Sequence, residues 1–262
     1  MSRTQSSRRG ILKTDAAAGV RAASGGPLKA APKRGGTLRL GLAGANTSDS
    51  WDSRTHSDSF MITTAHGAVF DTLTQVAANG ELIGELAESW EATPDAKTWT
   101  FKLRKGVTFH NGKAFGADDV MASLNMHVAE GAKSAAKPIV SAITERNKIS
   151  DHELSLTLAA GNADFPFLLS DYHICMFPAG QIEEAIAQGI GTGLYKVESF
   201  DPGVRTVLSR VDGHYKDGKE GWFDSVEIIA INDASARMNA LMTGQVDAST
   251  HRDSQTATPP PA

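Results

Sequence analysis

The stretch from Gly80 to Asp119 constrains the fold of this chain more than any other. Within it, Trp99, Phe101 and Leu103 alternate with polar residues, which is the period-two pattern of a half-buried strand. The acidic sequence before this strand predicts a short helix. The dipeptide Asn111-Gly112 predicts a tight hairpin turn after it. The sequence therefore predicts a helix, a strand and a hairpin in close succession.

A second helix is predicted to begin just beyond that hairpin. Gly116 stands at the position of its N-terminal cap, and Asp118 and Asp119 fall in the first turn, where carboxylates favour the positive end of the helix dipole. The apolar positions then recur with helical spacing, at Val120, Met121, Leu124 and Val128. This stripe predicts a helix with one buried face.

Further elements are predicted on both sides of this stretch. Alternation predicts strands over 37–42, 154–158, 204–210 and 226–231, and helical spacing predicts helices over 60–70, 165–169, 182–187 and 234–242. Strands and helices alternate irregularly and without internal repeats. The predicted fold class is therefore α+β or mixed α/β rather than a series of regular βαβ units.

Charge is distributed unevenly along the 262 residues. Residues 1–36 carry a net charge of +7, whereas the remainder carries −11. A basic, unpatterned N-terminus before an acidic body is typical of a targeting segment or a tail. The acidic body argues against nucleic acid as a partner, because phosphate binding needs a positive field.

Three runs, in order and at their spacing, resemble the signature of the family 5 extracellular solute-binding proteins. They are Leu86–Trp90 (LAESW), Trp99–Gly112 (WTFKLRKGVTFHNG) and Ala117–Val120 (ADDV). Proteins of that family are the dipeptide- or oligopeptide-binding components of ABC importers. The resemblance implies a periplasmic binding protein-like fold, type II with an extra subdomain, in which two lobes close on a ligand by hinge motion.

The resemblance also implies a division of the chain. Residues 36–66 and 188–248 would build the sheet of the main lobe, and residues 67–187 would form an inserted subdomain. Residues 249–262 are predicted to be a disordered tail, because they are rich in Thr, Ser and Pro and lack apolar positions. Since a family member continues into a second lobe, the sequence is interpreted as the first lobe only. The C-terminal lobe would be missing because the chain is a truncated or frameshifted product, a fragment or a natural short form, and ligand affinity would be impaired.

The first 35 residues have two interpretations. Arg8 and Arg9 lie in a string that resembles a twin-arginine export motif, which would direct the protein to the periplasm of a bacterium. Asp15 and Arg21 interrupt the apolar region that such a signal contains. The alternative is a disordered basic tail.

Two segments supply the candidate ligand-binding residues. In the family, the loop after the first strand faces the cleft between the lobes, so Ser48 and Ser50 would offer hydrogen bonds and Trp51 would shield the ligand. Residues 191–196 (GTGLYK) resemble the family string GTGPYK, with Leu194 in place of proline. The exposed backbone amides of this turn would hold a carboxylate or carbonyl of the ligand. The candidates in this turn are Gly191, Thr192, Gly193 and Tyr195. For both segments the alternative is a purely structural role.

The resemblance implies capture of a peptide or another small solute and its delivery to an ABC permease in the membrane. We expect a monomer that is not an enzyme and needs no cofactor or metal, because the histidines lack zinc-binding spacing and Cys175 lies in an apolar run. The alternatives are a secreted enzyme, or a chaperone or interaction domain on the same scaffold.

Overall fold

The described part of the chain is organised around two β-sheets. The computed structural model describes residues 32–250, and the described residues from Arg34 onward form one compact unit. The strands are β1 (Thr37–Leu42), β2 (Thr74–Val76), β3 (Leu82–Gly84), β4 (Ala87–Ala92), β5 (Thr98–Leu103), β6 (Ile143–Ser150), β7 (Glu153–Leu158), β8 (Tyr195–Asp201), β9 (Arg205–Arg210), β10 (Ser225–Ala230) and β11 (Ala248–Ser249). The helices are α1 (Ser59–Ala65), α2 (Ala117–Val128), α3 (Lys137–Ser141), α4 (Phe165–Leu168), α5 (Ile182–Gln188) and α6 (Ala234–Met242).

A five-stranded mixed sheet joins two distant parts of the sequence. Its strand order is β11-β1-β10-β9-β8. β1 is parallel to both of its neighbours, with Leu38 opposite Val226 and Leu40 opposite Ile228, whereas β10, β9 and β8 run antiparallel. Parallel strands need a long connection. Here that connection between β1 and β10 contains the whole second sheet.

The second sheet is a four-stranded antiparallel one of order β4-β5-β7-β6. Trp99, Phe101 and Leu103 of β5 are all buried, as their alternation predicted. Trp99 lies opposite Leu156 of β7, and Phe101 lies opposite Leu154. The buried face of this sheet is thus built from cross-strand apolar pairs.

The prediction of a short acidic helix before β5 is wrong, because this segment forms β3 and β4. β3 pairs with β2 in a hairpin whose turn contains Gly80 at φ 84°, and β4 pairs with β5. Glu88 and Glu91 are exposed on β4, which is an edge strand. The acidic composition suits an exposed edge as well as a helix, and the pairing with β5 decides between them.

The helix predicted after the hairpin is confirmed as α2, with Gly116 at its N-terminal cap. The Asp119 carboxylate accepts a hydrogen bond of 2.8 Å from the Gly116 N–H, which satisfies a donor at the helix start. Val120 and Leu124 are fully buried. The local capping signal and the apolar stripe therefore agree on where this helix begins and which face it buries.

Most of the other predicted elements are confirmed within one or two residues, apart from a helix predicted over 60–70 that ends at Ala65. Pro166 occupies the first turn of α4. β6 was not predicted, because its exposed residues from Thr144 to Ser150 are mostly polar and show no alternation. Ser249, predicted to begin a disordered tail, instead pairs with Gly41 in β11.

One apolar core runs through the described residues. It includes Trp51, Phe60, Phe101 and Phe165, so residues around both sheets contribute to a single cluster. The strands of the five-stranded sheet fall in the ranges predicted for the main lobe, except that β11 extends to Ser249. Those of the four-stranded sheet fall in the range predicted for the inserted subdomain. With a continuous core, the division into two subdomains stays a prediction.

Candidate functional site

The carboxyl ends of the parallel strands β1 and β10 meet at one edge of the five-stranded sheet. The loop after β1, residues 43–58, lies against the residues that follow β10. The Gly44 N–H donates to Asn232 Oδ1 at 2.9 Å, and Asn232 Nδ2 donates to the Ala45 carbonyl at 3.3 Å. In open α/β sheets, ligands bind in the crevice outside the carboxyl ends of the strands. This edge is therefore the candidate position for a binding site.

Gly44 lets the loop fold back onto the start of α1. Its φ is 101°, and a Cβ built there would lie 2.5 Å from the Asp58 Cβ. Asp58 caps α1, accepting a hydrogen bond of 2.9 Å from the Met61 N–H. A side chain at position 44 would push the loop away from the helix.

A pocket of about 320 Å³ lies between the loop and α1. It is lined by Gly44, Asn46, Ser48, Asp49, Ser50, Thr55, His56, Ser57, Asp58 and Met61. The two serines that the sequence singled out are thus brought together in one pocket. Its size lies at the lower end of the range for small-molecule sites.

The two serines have different surroundings within this loop. Ser48 is exposed, and both its N–H and its hydroxyl donate to Asn46 Oδ1 at 3.1 Å. The Ser50 hydroxyl accepts a hydrogen bond of 3.4 Å from the Asp52 N–H. Each hydroxyl keeps hydrogen-bonding capacity beyond these local contacts.

Trp51 lies in the core rather than in the pocket. It is 2 % exposed, and its ring centroid lies 4.6 Å from that of Phe200 and 6.2 Å from that of Phe70. Gly189 lies against the same ring, because a Cβ built there would come within 2.9 Å of it. In this structure Trp51 anchors the loop to the core, which is the structural alternative considered for it.

His56 links the loop to the neighbouring segment. Its Nε2 lies 2.9 Å from the Ser50 carbonyl oxygen, and its own carbonyl accepts a hydrogen bond of 2.8 Å from His173 Nε2. Burial lowers the pKa of His56. The ring is therefore neutral near pH 7, and the proton sits on Nε2 because a carbonyl only accepts.

The turn at 191–195 differs from its prediction, which was a turn with exposed backbone amides. Its residues are buried. The Gly193 N–H donates to the Val69 carbonyl and the Tyr195 N–H to the Ala68 carbonyl, both at 2.9 Å, and the Gly191 N–H donates to His110 Nδ1 at 3.3 Å. These three amides serve the fold, because the turn packs directly on the segment after α1.

Two histidines donate hydrogen bonds to carbonyl groups of this turn. His110 Nε2 donates to the Gly193 carbonyl at 2.9 Å, and His214 Nε2 donates to the Thr192 carbonyl at 2.8 Å. The Nδ1 atom of His214 accepts from the Lys216 N–H at 3.2 Å. Burial lowers the pKa of both histidines. Both rings accept at Nδ1 and donate at Nε2, so both are neutral.

A buried ionic cluster formed by Asp71, Glu85 and Lys216 lies beside the same turn. Lys216 Nζ lies 2.8 Å from Asp71 Oδ1 and 2.6 Å from Glu85 Oε1, and none of the three side chains is more than 5 % exposed. The Thr192 hydroxyl donates to Asp71 Oδ2 at 3.0 Å. The sequence analysis missed this cluster, because nothing in the spacing of three residues so far apart indicates contact.

The two carboxyl groups of the cluster differ in how readily they ionise. Burial opposes ionisation of Asp71, but the Lys216 ammonium outweighs it, and the pKa of Asp71 is lowered. Burial and then the neighbouring Asp71 raise the pKa of Glu85 to about 7. Asp71 is therefore the firm partner of Lys216, and Glu85 is the carboxyl that takes up a proton most readily.

The remaining sequence candidates add no reactive group. Cys175 is fully buried, and burial raises the pKa of its thiol. Between residues 32 and 250, no group of three His, Cys, Asp or Glu residues is arranged to hold a metal ion. Arg8 and Arg9 lie outside the described residues. In the described part, no helix is long and apolar enough to cross a membrane.

Comparison with known proteins gives a consistent match. Residues 81–259 match the bacterial extracellular solute-binding proteins, family 5 Middle. The dipeptide-binding protein of Escherichia coli (strain K12) is 29% identical over 196 residues, which cover 63% of this chain and 35% of that protein. The nickel-binding periplasmic protein of the same strain is 27% identical over 191 residues, covering 70% of this chain and 36% of that protein.

A solved structure agrees with these sequence matches. It is the ABC transporter-associated periplasmic binding protein DppA from Helicobacter pylori in complex with the peptide STSA. It is 26% identical, with a TM-score of 0.72, and the match covers 82% of this chain and 46% of that one. The chain thus spans about a third of the length of the curated relatives it matches, and under half of the solved one.

Proposed function

Because the chain belongs to the bacterial extracellular solute-binding proteins of family 5, we propose that it forms one lobe of a receptor for a small, peptide-like solute. The receptor captures the solute outside the cytoplasmic membrane and passes it to an ABC permease. It is exported to the periplasm of a bacterium and acts as a monomer. It binds its solute without transforming it.

The pocket after β1 is the observation that carries this proposal. It lies at the carboxyl ends of parallel strands, and polar residues of one continuous loop line most of it. Ser48, Ser50 and Asp49 are the groups that meet the solute from this lobe. They are hydrogen-bonding residues, and none of them is paired with a base in the way a nucleophile requires.

The peptide character of the solute is proposed from the named relatives. One curated relative is a dipeptide-binding protein, and the solved relative holds a peptide. A solute that lies on this lobe is contacted from one side only by residues 43–58. Full affinity then comes from a second lobe that closes over the solute by hinge motion, and this lobe alone binds weakly.

The turn at 191–195 has a supporting role in this proposal. Because its amides are bonded within the fold, Gly191, Thr192, Gly193 and Tyr195 hold the main sheet against the segment after α1. Trp51 likewise anchors the loop to the core through its contact with Phe200. These five residues shape the site without reaching the solute.

A titration with short peptides tests the proposal. Amide signals of the labelled protein would be followed by NMR while dialanine and longer alanine peptides are added. The expected result is saturable binding with a dissociation constant near 1 mM, since a single lobe contributes only part of the contacts. A solution of free alanine and sodium acetate is the control for general salt effects. Absence of saturable binding by every peptide, or conversion of any peptide, contradicts the proposed function.

A further inference from the structure

The hairpin that joins β8 to β9 contains a turn with the sequence Asp201-Pro202-Gly203-Val204. Proline at the second position and glycine at the third predict a type II turn, because the third residue of that turn needs a positive φ. The structure has this turn, since the Val204 N–H donates to the Asp201 carbonyl at 3.0 Å and the φ of Gly203 is 77°. The hydrogen bond that closes such a turn leaves the Gly203 N–H for a partner outside it.

The turn packs directly on the loop after β1. A Cβ built on Gly203 would lie 2.8 Å from the Asn46 carbonyl carbon and 2.9 Å from the Thr47 nitrogen. Both are backbone atoms, so no flexible side chain can move aside to make room for it. At Gly218, with φ 75°, a Cβ would meet nothing within 4 Å, so a positive φ does not by itself imply such a contact. Glycine is therefore required at position 203 by the contact as well as by its φ.

The turn is bonded to the five-stranded sheet, which gives the loop a fixed surface to pack on. At the end of β10, the Ala230 N–H donates to the Val204 carbonyl at 2.9 Å. Just before the turn, the ring centroid of Phe200 lies 4.6 Å from that of Trp51, which belongs to the loop. The hairpin therefore contacts the loop at two places, through the backbone of its turn and through the ring of Phe200.

The part of the loop that the turn contacts is bonded to residues that line the pocket. The Asn46 N–H donates to Asp49 Oδ2 at 2.8 Å, and the Asp49 N–H donates to the Asn46 carbonyl at 3.0 Å. The Ser48 hydroxyl donates to Asn46 Oδ1 at 3.1 Å. Gly203 acts on the same group, because burial raises the pKa of Asp49 and hydrogen bonds from the backbone of Asn46 and Gly203 oppose that rise. A displacement of Asn46 would therefore move Ser48 and Asp49 as well.

We propose that the turn at 201–204 is the positioning element of the solute site, because it fixes the loop after β1 and thereby the hydroxyl and carboxylate groups that meet the solute. These groups belong to Ser48, Asp49 and Ser50. Pro202 and Gly203 lie outside the described lining of the pocket, so the turn acts through the loop rather than on the solute. The proposal rests on the proposed function and adds the element that holds its site in place.

Gly203→Ala tests the proposal in the protein without solute. The added Cβ is expected to displace the loop, so the NMR amide signals of residues 46–50 should shift and the Asp49 N–H should exchange faster with solvent, while the signals of residues 191–195 stay in place. Gly218→Ala is the matched control, because it brings a similar left-handed strain without a contact and should leave the loop signals unchanged. Loop signals that move equally in both variants, or in neither, overturn the proposal.

Two further measurements separate the contact from backbone strain and from loss of folding. Asparagine accepts a positive φ more readily than alanine but carries the same Cβ, so Gly203→Asn should shift the loop signals as much as Gly203→Ala. Loop signals at their wild-type positions in Gly203→Asn would assign the effect to strain and overturn the proposal. In the wild type, a nuclear Overhauser effect between the Gly203 α protons and the Thr47 amide proton is expected. Its absence overturns the proposal even if a variant does not fold.

Peptide binding separates this inference from the proposed function. In the titration with dialanine, Gly203→Ala and Gly203→Asn are expected to weaken binding about tenfold, and Gly218→Ala to leave it unchanged. Unchanged affinity in Gly203 variants whose loop signals have shifted overturns the positioning role and leaves the proposed function standing. If the wild type binds none of the peptides, the proposed function fails, and the loop signals still decide whether the turn fixes the loop.

Discussion

Lys216 Nζ lies 2.6 Å from Glu85 Oε1, although the two residues are 131 positions apart in the sequence. Both side chains are buried. The pair, together with Asp71, joins the loop before β10 to the segments that flank the β2–β3 hairpin. It is a buried long-range contact beside the turn at 191–195, and it gives the first test of the fold.

Replacing Lys216 with methionine is expected to destabilise the protein by about 3–5 kcal/mol. The loss of one partner leaves buried carboxylates without a counter-charge, which costs far more than the net value of an ion pair. Lys219→Met is the control, because Lys219 is exposed and should change the free energy of unfolding by less than about 0.5 kcal/mol. Chemical denaturation measures both. Equal stability of the two variants would show that the buried cluster does not form.

The two carboxyls of the cluster are expected to respond differently to neutralisation. The pKa of Asp71 is lowered, and that of Glu85 is raised to about 7. Asp71→Asn should therefore be the more destabilising change near neutral pH, and Glu85→Gln the milder one. Denaturation of the two variants side by side measures this. The reverse order would contradict the assignment of Asp71 as the firm partner of Lys216.

Glu85 also gives a defined pH dependence. Its folded-state pKa of about 7 lies above the ordinary 4.5, so the folded protein binds the proton more tightly. Its contribution to the free energy of unfolding is thus complete below pH 4.5 and is lost as the pH rises through 7. In Glu85→Gln that slope disappears. The difference between wild type and variant, measured by denaturation across this window, should fall with rising pH, and a constant difference would argue against a buried Glu85.

The histidines at the turn are expected to give a pH dependence of stability opposite in sign to that of Glu85. Burial lowers the pKa of His110 and His214 below 6.5, so the unfolded chain takes up protons first as the pH falls. Their contribution to stability is therefore complete above pH 6.5 and is lost as the pH falls through the lowered values. Glutamine can donate and accept without titrating. We expect His110→Gln/His214→Gln to lose less stability on acidification than the wild type, and an equal loss would contradict two neutral rings.

Gly193 is required by close packing rather than by its backbone angle. A Cβ built there would lie 2.2 Å from the Ala68 carbonyl oxygen, whereas at Gly213, with φ 68°, a Cβ would meet nothing within 4 Å. Gly193→Ala is expected to cost about 3 kcal/mol through overpacking, against roughly 1–2 kcal/mol for the left-handed strain of Gly213→Ala. Thermal denaturation compares the two. If Gly213→Ala is the costlier change, the contact between the turn and Ala68 is not present in solution.

Local patterns in the sequence were sufficient for several elements. The alternation at Trp99, Phe101 and Leu103 and the cap at Gly116 are signals carried by neighbouring residues, and the structure has both. The acidic stretch before β5 failed, because an exposed edge strand and a helix tolerate the same residues and only the pairing with β5 distinguishes them.

The candidate site was also predictable from the sequence only in part. The loop after β1 was identified from its position in the family and its polar residues, and Ser48 and Ser50 do line a pocket. The partners of the amides at 191–195 were invisible, because they come from residues about 80 to 130 positions away. The tautomer of His56 was equally hidden, since only the contact of Nε2 with the Ser50 carbonyl fixes it.

Photo-crosslinking with a dipeptide tests the central claim most directly. A dipeptide carrying a diazirine side chain would be irradiated with the protein, and the labelled residues identified by mass spectrometry. The account predicts labels on the loop residues that line the pocket after β1, which lie between Gly44 and Ser50 and between Thr55 and Asp58. These labels are expected to be lost when excess dialanine competes. Competable labels confined instead to the separate pocket formed by residues 106–112 and 210–215 would contradict it.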